Sequence, residues 1–201
     1  MTTLIYLIRH GAHALIDHAL VGRAGVPLSP RGRRQAHALG RRFAPEPISR
    51  VETSPRRRAM DTARPIADAL ALPLDLAQQM DELNVGEWSG RSFAELERDP
   101  FWRQWNRARS SCRPPGGESM GELQARVLDH LEGLRAGHPG AEIIIVSHAE
   151  PIRAAILHYC GLSLDEFAQI RVEPASVTLL QFDRRGHGAC SIDAVAEGAA
   201  P

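Results

Sequence analysis

The stretch Leu4-Ile5-Tyr6-Leu7-Ile8-Arg9-His10-Gly11 decides how this chain is read. An apolar run from Leu4 to Ile8 stops abruptly at Arg9-His10-Gly11. That is the pattern of a buried strand whose last residues spill into a loop. In open α/β sheets, chemistry collects at such carboxyl ends of strands. This one delivers a guanidinium, an imidazole and a residue without side-chain bulk, side by side. Arginine offers a forked set of donors that fits a phosphate. A histidine beside it can attack phosphorus, and glycine lets the backbone approach a ligand closely. A tripeptide alone recurs by chance, so its weight depends on the rest of the chain.

Working outward, Val146-Ser147-His148-Ala149 repeats the same design. Glu142–Ser147, with its Ile-Ile-Ile-Val core, is the strongest strand in the chain and also ends in a histidine. Two histidines at the ends of two parallel strands can converge on one crevice. Between these strands, helix and strand signals alternate. Ser29 caps a helix with Pro30 at its first position, which runs through Gln35, Leu39 and Phe43 until Pro45 and Pro47 stop it. Ile48–Thr53 reads as a strand, Arg57 to Leu70 as a helix followed by Pro73, and Leu74–Leu76 as a short strand. Ser119 caps a helix carrying Leu123, Val127, Leu131 and Leu134, which ends near Gly137. Glu150 to Cys160 is helical, Val177–Phe182 is a strand, and Ala189–Ala194 is a further strand. The alternation predicts an α/β fold, a three-layer α/β/α sandwich around a mainly parallel sheet.

Residues 81–118 break the pattern and hold Trp88, Trp102, Trp105, Phe93 and Phe101. They read as a helical and loop excursion covering the active-site edge, within one domain over residues 1–195. Trp102 and Trp105 lie three apart, on one helix face, and read as core. Residues 196–201 read as a disordered tail.

A chain of 201 residues with zero formal net charge suits one ordinary domain, with no general pull toward nucleic acid or anionic membrane. All 24 basic residues are arginine, so Schiff-base chemistry and a phosphate-loop lysine are excluded. Cys112, Cys160 and Cys190 are far apart and read as reduced thiols of a cytoplasmic protein. No metal site is expected. The opening Met1-Thr2-Thr3 lacks a basic region, and no apolar run is long enough for a signal peptide or a bilayer span.

Three further segments bear on chemistry. Ser54-Pro55-Arg56-Arg57-Arg58 follows a strand and opens a helix, where an anion is already favoured and an arginine adds charge. Asp81-Glu82-Leu83-Asn84-Val85-Gly86-Glu87-Trp88-Ser89-Gly90 places carboxylates in a loop, and leaving-group protonation needs such an acid. Pro114-Pro115-Gly116-Gly117-Glu118-Ser119 is a turn into a helix N-terminus.

In this order the segments resemble the histidine phosphatase superfamily, also called the phosphoglycerate mutase-like family. The match includes Arg9-His10-Gly11, Gly22-Arg23, Pro27-Leu28, Gly32, Gln35-Ala36, Ser54-Pro55 and Arg58-Ala59 with Thr62-Ala63. It continues through Glu82 with Gly86-Glu87-Trp88-Ser89-Gly90, Pro115–Ser119, Val146–His148 and Ile152-Arg153. The resemblance implies a metal-independent phosphomonoesterase, with no cofactor, acting on a small phosphorylated metabolite. It implies His10 as the nucleophile, Arg9, Arg58 and His148 as phosphate ligands, and Glu82 as the proton donor to the leaving alcohol. It leaves the oligomeric state open.

Some positions depart from the family pattern. After Gly11 stand Ala12-His13, with Ile16 where relatives carry an Asn. His13 is a substitute substrate contact or an exposed residue. After His148 stand Ala149-Glu150 where relatives often have Gly-Gly. Glu150 would bind a cationic part of a substrate, repel highly charged phosphates, or simply sit against the helix dipole. Arg23 and Arg113 are the candidates for further substrate contacts. Two other functions fit the same fold: a phosphoglycerate mutase-like phosphotransferase, and a non-catalytic phosphate-binding protein.

Overall fold

The computed structural model describes residues 2–183 and the backbone of 188–193. The tail expected at 196–201 lies outside these residues. One sheet is built from β1 (Thr3–Arg9), β2 (Arg50–Thr53), β3 (Leu74–Leu76), β4 (Glu142–Ser147), β5 (Val177–Phe182) and β6 (Gly188–Asp193), in the order β3-β2-β4-β1-β5-β6. The first four are mutually parallel. β5 runs antiparallel to β1, and β6 antiparallel to β5. The reversal has a local cause. The segment before β5 returns the chain to the carboxyl end of β1, where Ala175 N–H donates to the Arg9 carbonyl and Arg9 N–H to that of Ser176. β5 must therefore start beside the end of β1 and run back along it.

Side-chain alternation builds the two outer layers. Ile5, Leu7, Ile143 and Ile145 face one side, against Leu123, Val127 and Leu131 of α5 (Met120–Gly137) and Ile152 and Ile156 of α6 (Ala149–Tyr159). Ile8, Ile144 and Val146 face the other side, against Leu39 and Phe43 of α1 (Pro30–Phe43) and Ala59, Ala63 and Ile66 of α2 (Arg57–Leu70). A sheet buried on both faces explains the near-continuous apolar runs at Leu4–Ile8 and Glu142–Val146. Ser29 and Ser119 cap α1 and α5 through their side chains, as their sequence positions require.

The excursion contains two short helices, α3 (Phe93–Leu96) and α4 (Pro100–Trp105). Trp88, Trp102 and Trp105 are buried and meet edge-on or tilted, with ring centroids 5.3–5.5 Å apart. Among the described residues no helix is long and apolar enough to cross a membrane.

Gly86 locks the acid-bearing loop to the Pro114–Gly117 turn. Its φ is +55°, and a Cβ there would lie 2.0 Å from the Pro115 carbonyl oxygen. The adjacent Glu87 N–H donates to that same oxygen at 2.9 Å. Gly86→Ala is expected to cost about 2–4 kcal/mol from backbone strain and overpacking. That corresponds to a fall of roughly 5–15 °C in Tm for a chain of this size. Calorimetry checks it; an unchanged Tm would mean that the loop and turn are not clasped.

Candidate active site

β1 and β4 lie side by side with Arg9 opposite Ser147, so the next residues, His10 and His148, emerge together at the carboxyl edge. Their ring centroids are 5.1 Å apart, and both rings are buried. The loop after His10 is tied down from two helices. Gly11 N–H donates to Thr62 Oγ1, whose hydroxyl donates to the Arg58 carbonyl, and Ala12 N–H donates to Gln35 Oε1. Thr62 and Gln35 thus fix the histidine loop on α2 and α1.

His10 Nδ1 lies 2.8 Å from its neighbour's carbonyl oxygen, that of Gly11. A carbonyl only accepts, so Nδ1 carries the hydrogen and Nε2 keeps its lone pair. Arg58 Nε donates to that Nε2 at 3.0 Å. Burial, and then the charges of Arg58 and Arg9, hold the His10 pKa well below its usual value. The ring is neutral at neutral pH. Arg58 sits in the first turn of α2, and its other nitrogens donate to the carbonyls of Gly22 and Ala24 at 2.8 and 3.0 Å. Arg9 donates through NH1 to the Val172 carbonyl at 2.6 Å, while its buried Nε has no partner.

His148 Nε2 lies 2.7 Å from the Ser54 hydroxyl, itself 3.4 Å from Asp81 Oδ1. Its Nδ1 is buried without a hydrogen-bond partner and stands 3.9 Å from Glu82 Oε2. The same Glu82 oxygen is 3.9 Å from Arg58 NH2. Burial pushes the Glu82 carboxyl up to about 7, although Arg58 pulls the other way. A carboxyl tuned to neutral pH can give a proton and take one back.

The loop carrying this acid is braced by residues that look like punctuation in the sequence. Asp81 takes a two-pronged ion pair from Arg56, 2.7 Å on each oxygen. Glu118, from the Pro-Gly-Gly-Glu turn, pairs with Arg126 at 2.6 Å and with Arg23 at 3.1 Å. Arg126 also donates to the carbonyls of Gln79, Asp81 and Glu82. Arg126, partly buried in the second turn of α5, has no counterpart in the sequence motifs.

A cavity of about 310 Å³ opens beside His10 and Glu82, and His148 is not among its lining residues. Its inner end is formed by Arg9, His10, Arg58 and Glu82. Its outer walls include Ile16, Leu20 and Val21 from the loop after Gly11, and Phe93, Trp102 and Trp105 from the excursion. Among the described residues no group of three or more His, Cys, Asp or Glu is placed to hold a metal ion.

A sequence model of the histidine phosphatase superfamily (branch 1) matches residues 5–192. The chain belongs to this superfamily. It is 34% identical over 187 residues to a bifunctional protein of Mycobacterium tuberculosis, covering 90% of this chain and 50% of that protein. The chain therefore spans about half the length of the first curated relatives it matches. It is 31% identical over 160 residues to phosphoserine phosphatase 1 of Hydrogenobacter thermophilus, covering 79% of this chain and 76% of that one. In fold it is similar to mycobacterial glucosyl-3-phosphoglycerate phosphatase, with a TM-score of 0.84 and 24% identity over 96% of this chain and 98% of that one.

In this member of the superfamily, the structure sorts the remaining candidates. His13 is buried, not exposed. It stacks on His10 at 5.4 Å and accepts the Leu15 N–H on Nδ1. Burial, with Arg58 and Arg9, pushes its pKa down to about 4. Ala149 and Glu150 line the cavity, as does Ile16. Arg23 and Arg113 are not among the lining residues. Arg23 is spent on the Glu82 carbonyl and Glu118, and Arg113 on the Gly117 carbonyl and Glu122. The excursion's cation in the cavity is Arg109 instead. No sequence signal marks it, because it lies in the turn after α4 and not on the helix. Its guanidinium lies 3.9 Å from the Trp105 ring centroid.

Proposed function

We propose that this histidine phosphatase is a metal-independent phosphoric monoester hydrolase acting on a small phosphorylated metabolite through a phosphohistidine on His10. The observation that carries the reading is the geometry of His10, its Nε2 lone pair held beside Arg58, with the Glu82 carboxyl 3.9 Å from both Arg58 and His148. In the first step Nε2 attacks phosphorus as the P–O bond to the alcohol breaks. Glu82, in its protonated form, gives its proton to the departing oxygen. In the second step Glu82, now a carboxylate, takes a proton from water as that water attacks the phosphohistidine. The P–N bond breaks and inorganic phosphate leaves.

Arg9, Arg58 and His148 surround the place where charge is held during transfer, and fixed donors in a water-poor site stabilise it strongly. The arginines supply the positive charge that other phosphoryl-transfer sites take from metal ions. Cys112 and Cys160 are free thiols, which supports a reduced, cytoplasmic setting.

The test is phosphate release from p-nitrophenyl phosphate in excess EDTA. Turnover that survives chelation supports the reading. Turnover that disappears with EDTA and returns with a divalent metal contradicts it. Interconversion of monophosphates without phosphate release would point to the phosphotransferase instead.

A further inference from the structure

The cavity wall also carries an ion triad in which Arg109 is buried and Glu150 and Arg153 are partly buried. Glu150 receives Arg153 NH1 at 2.6 Å on one oxygen and Arg109 NH1 at 2.9 Å on the other. Burial pushes the Glu150 carboxyl up, but the two arginines overcome this and hold its pKa at about 2. It is ionised throughout the working pH range. Arg109 is fixed flat between two rings, 3.9 Å from the Trp105 centroid and 3.4 Å from that of Phe167. Its NH2 donates to Asn106 Oδ1 at 2.9 Å, and the residue is 5% exposed. Arg153 donates through Nε to the Ile170 carbonyl.

Two arginines facing a substrate cavity would ordinarily form a site for a second anion. Here that place is already filled. Both arginines spend an NH1 on the protein's own carboxylate, Arg109 NH2 goes to Asn106 and Arg153 Nε to Ile170, while the buried Arg109 Nε has no hydrogen-bond partner. Charge counting agrees. Four arginines line the cavity: Arg9, Arg58, Arg109 and Arg153. A phosphoryl dianion and Glu150 offset three of these charges, and Asp17, a lining residue exposed to solvent, offsets the fourth while Glu82 holds its proton. A further carboxylate or phosphate on the substrate would be in excess and would have to displace Glu150. The walls between the two ends are largely apolar, with Ile16, Leu20, Val21 and Phe93 among them.

We propose that Glu150 determines specificity by occupying the second-anion place as a built-in carboxylate, so that the site takes phosphomonoesters whose alcohol part carries no second negative charge. The inference rests on the phosphomonoesterase reading and deepens it. A cationic substrate group is disfavoured at the same carboxylate, because Arg109 and Arg153 already outweigh its single negative charge. Specificity of this kind works by repelling the wrong ligand more than by attracting the right one.

The test compares two probes of matched length by isothermal titration calorimetry: propylphosphonate and 3-phosphonopropionate, which differ by a terminal carboxylate. Neither needs turnover. The wild-type protein is expected to bind propylphosphonate about tenfold tighter or more, since like charges brought together at a binding site are costly. Glu150→Gln should shrink or invert that ratio. Equal affinities in the wild type, a preference for the acidic probe, or a ratio unchanged in Glu150→Gln would overturn the inference and leave the hydrolase reading standing. Failure of both probes to bind would remove the phosphate site, and both proposals with it. Taking one partner from a buried ion network destabilises it, so Glu150→Ala is the second variant. There the acidic probe, supplying the missing carboxylate, should raise Tm more than the neutral one. The wild-type ratio can overturn the inference without any variant, and the Glu150→Gln ratio assigns the preference to Glu150.

Discussion

His10→Ala is expected to bring phosphate release down to the background rate, a loss of about 10⁴-fold or more in kcat/KM. The size follows from the role. Without Nε2 there is no atom to receive the phosphoryl group, and the arginines around it can bind an ester but not break it. The fold should survive. His10 faces the cavity and makes only one hydrogen bond within its own loop, to the Gly11 carbonyl. The loop itself is held by Thr62 and Gln35, which the substitution leaves in place. Circular dichroism and phosphonate binding should therefore match the wild type while turnover vanishes. Retained turnover in a folded His10→Ala protein would exclude the covalent route.

Glu82→Gln should slow hydrolysis of an alkyl phosphate by about 10²–10⁴-fold. The loss should be smaller for the first step with p-nitrophenyl phosphate, whose leaving group departs without a proton. The pH profile carries a sharper signature. The protonated carboxyl is the active form for leaving-group departure, and burial holds its pKa up near 7. Wild-type kcat/KM should thus fall about tenfold per pH unit above about pH 7. Glutamine does not titrate, so the alkaline fall should disappear in Glu82→Gln. On the acid side the fall expected is the substrate's own, as the phosphate takes its second proton at about pH 6. His10 adds none there, because burial and the charges of Arg58 and Arg9 hold it neutral. A fall setting in near pH 4.5 instead would mean that Glu82 is an ordinary exposed carboxylate.

The parts of this molecule legible in the sequence are those fixed by period and punctuation. Leu4–Ile8 and Ile143–Val146 announce buried strands because their apolar runs are unbroken, and Ser29-Pro30 and Ser119 announce helix starts. The direction of β5 was not legible. It depends on where the chain re-enters beside Arg9, a long-range contact with no local pattern. The inner end of the site was legible because strand ends carry its two histidines. The outer end was not. Arg107, Arg109 and Arg113 look alike in an arginine-rich chain, and only packing between Trp105 and Phe167 singles out Arg109. Glu150 was visible as a departure, but its meaning depends on Arg109 and Arg153 together.

The central claim is that the phosphoryl group passes through His10, and trapping it there is the most direct test. Radiolabelled p-nitrophenyl phosphate would be mixed with the wild-type protein, with Glu82→Gln and with His10→Ala, and quenched in base, where phosphohistidine survives. Label should appear on the peptide containing His10. It should accumulate in Glu82→Gln, where departure of p-nitrophenol needs no acid but activation of water has lost its base, and it should be absent from His10→Ala. Hydrolysis proceeding in the wild type with no label in either His10-bearing protein, or with label on another residue, would contradict the account.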